Sequence, residues 1–320
     1  MLFRSEDDTV THAKRRVTLH DMRRLFPVTD QTPTETPEEG AAPGDGGPAG
    51  SDAPSVGGPA GSGAPSVGGP VGSDALVPRE WTLAELAAAY AYPGTAPGEP
   101  RAWLRANMVS TLDGAAQHEG RSHPISSAAD MRIFGTLRAL ADVVVVGAET
   151  VRQEGYRPAR ERAEFAAARK AAGQGPAPAV AVVTASLELD FSLPLFTSPL
   201  VPTLILTGAA AAPDRVAAAE RAGAVVVVAG EGMGVEPARA VRALAERGHT
   251  RLLTEGGPRL LGQLVAAEVL DELCLTTAPM LTAGDAQRIA GGPSVTVPRR
   301  FELLSLLEED GFLFGRYRRP

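Results

Sequence analysis

Short apolar runs alternate with amphipathic segments from residue 79 to the end of the chain. The valine runs at 143–146 and 225–228 are apolar throughout, which is typical of parallel strands covered by helices on both faces. The pattern predicts strands at 103–110, 142–146, 180–184, 203–207, 225–228, 251–254, 272–278 and 312–318. It predicts helices at 82–91, 127–141, 160–172, 237–247 and 258–267. This alternation indicates an α/β fold with a mostly parallel central sheet between layers of helices.

The last two apolar segments, 303–307 and 312–318, follow a different pattern. They are separated by Glu308, Glu309, Asp310 and Gly311, a short polar connection that ends in glycine. Such a connection is typical of a β-hairpin. We therefore expect an antiparallel C-terminal hairpin on the otherwise parallel sheet.

Composition divides the chain into three parts. Residues 31–78 contain 12 Gly and 9 Pro in 48 positions and no aromatic residue, so they cannot bury enough apolar surface to offset the entropy of ordering. We predict an N-terminal extension at 1–30, a disordered Gly/Pro-rich insert at 31–78 and one globular domain at 79–320. The extension contains an amphipathic piece at 22–28 that is able to dock on this domain, and Met22 is an alternative start.

Charge and cysteine content exclude several classes of protein. The formal net charge is −7, and the insert holds six acids and no base, which leaves −1 on the rest of the chain. A nucleic-acid-binding protein would need a basic face, so we expect no such partner. The single cysteine, Cys274, excludes a disulfide framework and a cysteine-based zinc cluster and fits a cytoplasmic location. No apolar stretch reaches the ~18 residues of a membrane span, so we expect no membrane association.

Three predicted strand ends carry residues that suit a ligand site. One strand leads into Ser-Thr-Leu-Asp-Gly at 110–114, the first valine run ends at Gly147, and a third strand ends in Glu-Gly-Gly-Pro at 255–258. Ligands of open α/β sheets bind beyond the carboxyl ends of strands. The paired glycines before Pro258 leave N–H groups free at the start of a helix, where an anion such as pyrophosphate is stabilised. Each segment also has a plainer interpretation as an ordinary turn.

Other chemistries find no support in the sequence. His118, His123 and His249 show no metal-ligand spacing, so we expect no metal site. No Gly-x-Ser-x-Gly motif of a hydrolase occurs, and one cysteine is too few for a zinc deaminase. The glycines at 230–234 lack the spacing of a dinucleotide-binding fingerprint and are predicted to form a loop.

Six motifs, taken in order, resemble the reductase domain of riboflavin biosynthesis. They lie at 110–114 (Ser-Thr-Leu-Asp-Gly), 125–127 (Ile-Ser-Ser), 137–139 (Leu-Arg-Ala), 146–152 (Val-Gly-Ala-Glu-Thr-Val-Arg), 254–258 (Thr-Glu-Gly-Gly-Pro) and 270–273 (Leu-Asp-Glu-Leu). The resemblance implies a three-layer dihydrofolate-reductase-like fold and a stand-alone, homodimeric reductase without a deaminase domain. It also implies NADPH-dependent reduction of 5-amino-6-(5-phosphoribosylamino)uracil, with hydride transfer to C1′ of the ribosylamino group.

The resemblance also implies which residues form the site. It places cofactor contacts at Val109, Gly147, Ala148, Thr150, Glu154, Gly256, Gly257 and Pro258. It places substrate contacts at Ser122, Arg138 and Glu255. Asn107, Asp113 and Glu255 are expected to position polar groups of the substrate during catalysis.

The sequence departs from the family pattern at three places. Asn107 stands where many members have lysine, and Glu154-Gly155-Tyr156 replaces their Asp-Asp-Pro. The arginine that follows in the family has no unambiguous match among Arg157, Arg160 and Arg162. These departures concern the substrate more than the cofactor.

The predicted helix at 127–141 leaves a second interpretation open. Asp130, Phe134 and Arg138 are spaced i, i+4, i+8 and so share one helix face. An acid, an aromatic ring and an arginine also suit a folate-like ligand, in which case Asp130 is the catalytic carboxylate and the substrate is a dihydropterin. The plainer interpretation of Asp130 is a favourable position in the helix dipole. A non-catalytic, NADPH-binding paralogue is a third alternative.

Overall fold

The structure is a computed structural model that describes residues 22–26, 81–94 and 101–320. The predicted insert at 31–78 and most of the extension at 1–30 lie outside the described residues. The helices are α1 (Leu83–Ala89), α2 (Ala128–Leu140), α3 (Ala148–Gln153), α4 (Ala163–Ala171), α5 (Pro194–Thr197), α6 (Pro213–Arg221), α7 (Pro237–Ala245) and α8 (Pro258–Ala266). The strands are β1 (Arg23–Phe26), β2 (Trp103–Thr111), β3 (Val143–Gly147), β4 (Ala179–Val183), β5 (Leu204–Thr207), β6 (Val225–Val228), β7 (Arg251–Thr254), β8 (Glu272–Ala278), β9 (Glu302–Glu309) and β10 (Phe312–Arg318).

The described strands form one sheet in the order β1-β9-β10-β8-β2-β7-β3-β4-β5-β6. Every neighbouring pair from β8 to β6 is parallel. Strand β10 pairs antiparallel with both β8 and β9, and its pairing with β9 is the predicted hairpin. The mostly parallel sheet with an antiparallel C-terminal end confirms the predicted fold class.

Alternate residues of β3 show how the helices cover both faces of the sheet. Val143 and Val145 pack in the core that includes buried residues of α7 and α8. Val144 packs on the opposite face in a core with α1 and α2, and Val146 packs there in a core with α3, α5 and α6. All four valines are at most 5% exposed, so the uninterrupted apolar run is explained by burial on both faces.

Strand β6 corrects the prediction that both valine runs are covered on both faces. Val225 is 42% exposed and Val228 is 58% exposed, although Val227 is buried. The reason is position, because β6 is the last strand of the sheet and pairs only with β5. The sequence pattern identifies the strand correctly but does not distinguish an edge strand from a central one.

Three helices were not predicted from the apolar pattern. Helices α3 and α5 are only six and four residues long, and α6 consists mainly of alanine and charged residues with a single buried residue, Ala219. Such segments present no apolar stripe at helical spacing. Helix α4 begins at Ala163 rather than at the predicted residue 160.

The described part of the piece at 22–28 is a strand on the domain. Strand β1 pairs antiparallel with β9, and Arg23 forms an ion pair with Glu308 at 2.6 Å. Met22 is fully buried in the core that contains α1 and α2. Within the described residues, none of the helices combines the length and the apolar character that crossing a bilayer requires.

Candidate active site

A cavity of about 880 Å³ lies between α2, the segment that follows α3, and the ends of β2 and β7. This is the edge of the sheet where ligands of open α/β folds bind. The predicted site residues that line it are Asn107, Val109, Ser122, Asp130, Arg138, Thr150, Glu154, Glu255, Gly257 and Pro258. The structure therefore brings predicted cofactor contacts and predicted substrate contacts to one cavity.

Helix α2 provides one wall of this cavity. The Ser127 side chain caps the helix by accepting a hydrogen bond from the backbone N–H of Asp130 at 3.1 Å. From that start, Asp130, Phe134 and Arg138 follow at i, i+4 and i+8 and all line the cavity. The predicted common face exists, and it points at the site.

Arg138, Glu255 and Tyr156 form a charged cluster at the centre of the wall. The Nε and Nη2 atoms of Arg138 donate to the two carboxylate oxygens of Glu255, both at 2.6 Å. Nη2 also donates to the Tyr156 hydroxyl at 2.7 Å, and this hydroxyl donates to Glu255. The guanidinium lies over the rings of Phe134, at 4.4 Å, and Tyr156, at 5.1 Å. A bidentate pair held between two rings has little freedom to reorient.

Burial and charge act in opposite directions on this cluster. Burial alone lowers the pKa of the Arg138 guanidinium, but the Glu255 carboxylate outweighs burial and holds that pKa above its ordinary value. Nη1 of Arg138 makes no hydrogen bond to any residue in the described part of the chain. Arg138 is therefore fixed as a cation with one group left for a ligand.

Asp130 is a buried carboxylate at the other end of the same wall. It accepts hydrogen bonds from the hydroxyls of Ser126, at 2.5 Å, and Thr276, at 2.7 Å. Burial raises the pKa of Asp130 above its ordinary value, and the two hydroxyls offset part of that increase. Because each carboxylate oxygen can accept more than one hydrogen bond, Asp130 keeps acceptor capacity towards the cavity.

Asn107 brings an unsatisfied polar group to the floor of the cavity. The residue is 9% exposed, and the Oδ1 atom is buried without a hydrogen-bond partner among the described residues. A buried unsatisfied acceptor is costly, so a ligand that donates to it gains affinity. Asn107 lies in β2, where it pairs with Cys274 of β8.

The glycine turn between β7 and α8 lies beside the end of β3. The Gly147 N–H donates to the Gly256 carbonyl at 3.0 Å, which ties the two strand ends together. Gly257 caps α8, whose first N–H groups have no partner within the helix. A Cβ atom at Gly257 would lie 2.7 Å from the Thr150 hydroxyl, so glycine alone leaves this corner open.

Four predicted site residues do not line the cavity. Gly256 belongs to the glycine turn itself, Gly147 donates a hydrogen bond to its carbonyl, and Ala148 is the first residue of α3. The fourth residue, Asp113, accepts hydrogen bonds from the Thr111 hydroxyl and from the backbone N–H groups of Thr282, at 3.1 Å, and Ala283, at 2.7 Å. These donors, Thr111 first, hold the pKa of Asp113 below its ordinary value. The carboxylate thus organises the loop after β8.

Some residues that contact the predicted site residues could not be found from the sequence. Tyr156 was noted only as a departure from the family pattern, and nothing in the sequence indicated that its hydroxyl would meet Arg138 and Glu255. Thr276 is 146 residues away from its partner Asp130, so no local pattern could connect them. Ser126 belongs to a recognised motif, and this was the only available signal. In the described residues, no group of three or more His, Cys, Asp or Glu is placed to hold a metal ion.

Known proteins of similar sequence include enzymes of one named activity. The chain is 27% identical over 221 residues to the 2,5-diamino-6-ribosylamino-4(3H)-pyrimidinone 5′-phosphate reductase of Archaeoglobus fulgidus, covering 68% of this chain and 100% of that protein. The enzyme of the same name from Methanothermobacter thermautotrophicus is 30% identical over 196 residues, covering 61% of this chain and 86% of that protein. These relatives are reductases, which confirms the enzyme class that the motifs predict.

Solved structures support the same relationship. A pyrimidine reductase-like protein from Corynebacterium diphtheriae has a TM-score of 0.61 and 28% identity, covering 68% of this chain and 91% of that one. The RibD protein of Acinetobacter baumannii, 17% identical with a TM-score of 0.55, shares the fold over 69% of this chain and 59% of its own. The model of the RibD C-terminal domain matches residues 102–310. The chain therefore belongs to the RibD C-terminal domain family.

Proposed function

We propose that the protein is an NADPH-dependent reductase of 5-amino-6-(5-phosphoribosylamino)uracil. The observation that carries this proposal is that the Gly257 turn and the Arg138–Glu255 pair line one cavity. A reductase must hold cofactor and substrate in contact, and the two predicted sets of residues meet there. A homodimer, which the family resemblance implies, and a cytoplasmic location, which the single cysteine fits, are part of the same proposal.

The glycine turn fits the pyrophosphate of a dinucleotide. Pro258 has no N–H, and the remaining N–H groups at the start of the nine-residue helix α8 can donate to an anion. Because Gly257 has no side chain, a phosphate group can approach the backbone of the turn closely. When bound, NADPH supplies the hydride that reduces C1′ of the ribosylamino group.

The protein residues orient the substrate. Glu255 is 6% exposed in its side chain and fixed by Arg138 and Tyr156, so it presents a rigid acceptor towards the cavity. Arg138 offers Nη1 to an anionic or carbonyl group, and Asn107 offers an unpaired amide oxygen to an amino group. Asp113 is not assigned a direct role, because its carboxylate binds the loop at 282–283.

A second candidate substrate is the 2,5-diamino form of the same compound, which carries an amino group at C2 instead of an oxygen. Two observations favour it. The relatives from A. fulgidus and M. thermautotrophicus are named as reductases of this compound, and Asp130 presents a buried carboxylate that accepts hydrogen bonds. A carboxylate attracts an amino group and repels a carbonyl oxygen. A dihydropterin has the same amino-bearing edge and remains the third candidate.

Single-turnover absorbance of NADPH with each of the three substrates tests the function. We expect oxidation of NADPH with at least one phosphoribosylaminopyrimidine and little with dihydropterin. NADH at the same concentration is the control for cofactor choice. Oxidation with dihydropterin alone would replace the proposed function, and binding of NADPH without oxidation by any substrate would indicate the non-catalytic paralogue.

Gly257→Val is expected to lower NADPH affinity by roughly tenfold or more, about 1.4 kcal/mol per tenfold. The backbone at Gly257 has φ −62° and ψ −176°, which valine adopts without strain, so the effect comes from the side chain that blocks the turn. Calorimetric titration with NADPH measures it, and a melting curve checks that the variant is folded. Gly232→Val is the matched control, because Gly232 lies exposed in a loop with open space around its Cα. Equal NADPH affinity of both folded variants would contradict the placement.

A further inference from the structure

Strand β1 lies beside a residue that follows it in the sequence only after a long connection. The connection comprises the 54 residues 27–80, and its central part, 31–78, holds 12 Gly and 9 Pro. Nevertheless, the Arg24 guanidinium lies 4.9 Å from the centre of the Trp81 ring. The two ends of the connection therefore meet at one place on the domain, where noncovalent contacts hold the strand.

The edge of β9 provides partners for this strand. Strand β9 pairs with β10 on one side, and β1 pairs antiparallel with its other edge. Glu308, opposite Arg23, accepts a hydrogen bond from the Gly311 N–H in the β9–β10 turn at 2.8 Å. The same carboxylate accepts a hydrogen bond from Nε of Arg23 at 2.7 Å, and Nη2 lies at 2.6 Å. The hairpin thus fixes this acid independently of the strand that binds to it.

Met22 fills an apolar socket at the start of the strand. It is fully buried in the core that α1 and α2 share with β9 and β10, whereas Leu25 of the same strand is 43% exposed. Methionine is unbranched and flexible, so it suits a gap of irregular shape. A row of backbone hydrogen bonds together with a pocket for a side chain is the way in which a sheet edge binds an extended peptide.

The Met22 socket lies on the buried side of the helix that forms the cavity wall. Ile133 and Leu137 of α2 belong to the same core as Met22. Phe134 and Arg138, one position further along the helix, line the cavity. Emptying the socket would remove packing from the buried side of α2. Docking of β1 is therefore expected to stabilise the helix that carries the site.

We propose that the edge of β9 and the Met22 socket form a strand-binding groove, and that residues 22–26 of the same chain occupy it as a separable peptide ligand. The connection at 27–80 raises the effective concentration of the strand at the groove, so a modest intrinsic affinity is enough to fill it. The basic residue Arg23 complements the acid Glu308 of the groove. Neither the groove nor its occupant depends on the reaction proposed above.

A peptide added to the full chain tests the groove. Met22→Asp places a charge in the socket and is expected to release the strand, and Leu25→Asp, on the exposed side of the same strand, is the control. The probe is a synthetic peptide with the sequence of residues 19–29, used beside the same peptide with Met22→Asp. Hydrogen exchange of the α2 amides reports the packing, and the amides of α7, on the other face of the sheet, are the internal reference.

We expect the α2 amides to exchange about tenfold faster or more in Met22→Asp than in Leu25→Asp, with the α7 amides unchanged. The unmodified peptide is expected to restore slow exchange and to raise the melting temperature of Met22→Asp by about 2 °C or more, whereas the peptide with Met22→Asp has no effect. Equal α2 exchange in the two variants, or a folded Met22→Asp protein that does not respond to the peptide, would overturn the proposal.

A cleaved form of the protein keeps the test decisive if Met22→Asp does not fold. A protease site inserted within residues 31–78 leaves the strand and the groove unchanged, and cleavage turns the strand into a separate fragment. We expect a labelled 19–29 peptide to bind the cleaved protein at least about tenfold more tightly than the uncleaved chain, whose groove is filled by its tethered strand. Equal binding to both forms, or binding to neither, would overturn the proposal. A dimer that becomes a monomer on cleavage would overturn docking within one chain and assign the strand to a second copy.

Discussion

Arg138→Ala is expected to lower kcat/KM for a phosphoribosylaminopyrimidine about 10²-fold or more, at ~1.5–3 kcal/mol for each charge-assisted hydrogen bond lost. The substitution removes the donor left for the ligand and also the partner that fixes Glu255. Steady-state kinetics at saturating NADPH measures the change. An equal decrease in kcat and kcat/KM would show that Arg138 acts in the transition state. An increase in KM with unchanged kcat would show that it contributes only to substrate binding.

The same helix provides a closely matched control. Arg132 lies on α2 with 27% of its side chain exposed, against 28% for Arg138, and forms an ion pair with Glu309 at 2.7 Å, but it does not line the cavity. Arg132→Ala therefore removes a similar ion pair from the same helix without touching the site. Comparable losses in both variants would trace the effect to helix stability and contradict the assigned role.

Asp130→Asn separates the candidate substrates. If the uracil form is the substrate, its C2 oxygen gains nothing from a carboxylate, and the variant is expected to retain most of its activity. If the 2,5-diamino form or a dihydropterin is the substrate, the carboxylate holds an amino group, and Asp130→Asn is expected to be the more damaging change. Activity that survives Arg138→Ala but disappears in Asp130→Asn would overturn the first-choice substrate.

The elements that could be predicted are those that leave a local signature in the sequence. Strand β3 is a run of valines that ends in Gly147, and α8 begins with Pro258 after two glycines. Consecutive residues therefore indicate the buried strand, the turn and the start of the helix. The face shared by Asp130, Phe134 and Arg138 follows from the helical period alone. These features depend on neighbours within one turn or one strand.

The remainder of the site depends on contacts between distant segments. Tyr156 meets Glu255 across 99 residues, and Arg162 meets Gly135 through the packing of α4 on α2. No periodicity connects such pairs, and the sequence left Arg157, Arg160 and Arg162 equivalent. At Asp113 the sequence suggested a role that the structure does not support. Its motif predicts a site residue, but the carboxylate accepts hydrogen bonds from backbone N–H groups of a distant loop, which the sequence does not reveal.

A buried network of charged residues connects β2, β8 and β10 to the end of α1, and we expect its disruption to have a large effect on stability. Glu272 is fully buried; it accepts hydrogen bonds from Arg105 at 3.0 Å and from Arg316 at 2.5 Å. The two guanidiniums donate onward to backbone carbonyls at the end of α1, Arg105 to Tyr90 at 2.7 Å and Arg316 to Ala89 at 2.5 Å. This network joins α1 to β2, β8 and β10.

Glu272→Gln is expected to lower the free energy of unfolding by about 3–5 kcal/mol, because it leaves buried guanidinium charge without a counter-charge. Urea unfolding at pH 7 measures the loss. Glu302→Gln is the control, since Glu302 is 52% exposed and its pair with Arg318 is 3.4 Å long, so a loss under about 1 kcal/mol is expected. Similar losses in the two variants would contradict the role of the buried network.

The pH dependence of the same variant provides an independent check. Burial alone raises the pKa of Glu272, but Arg105 and Arg316 together outweigh burial, so the pKa in the folded protein lies below its ordinary value. A carboxyl group with a lowered pKa contributes stability that is fully present above the unfolded-state pKa of about 4.3 and is lost as the pH falls through the folded-state value. The difference in unfolding free energy between the wild type and Glu272→Gln is therefore expected to be constant from pH 7 to about pH 5 and to narrow at lower pH. A difference that stays constant down to the acid transition would show that the charge of Glu272 does not stabilise the fold.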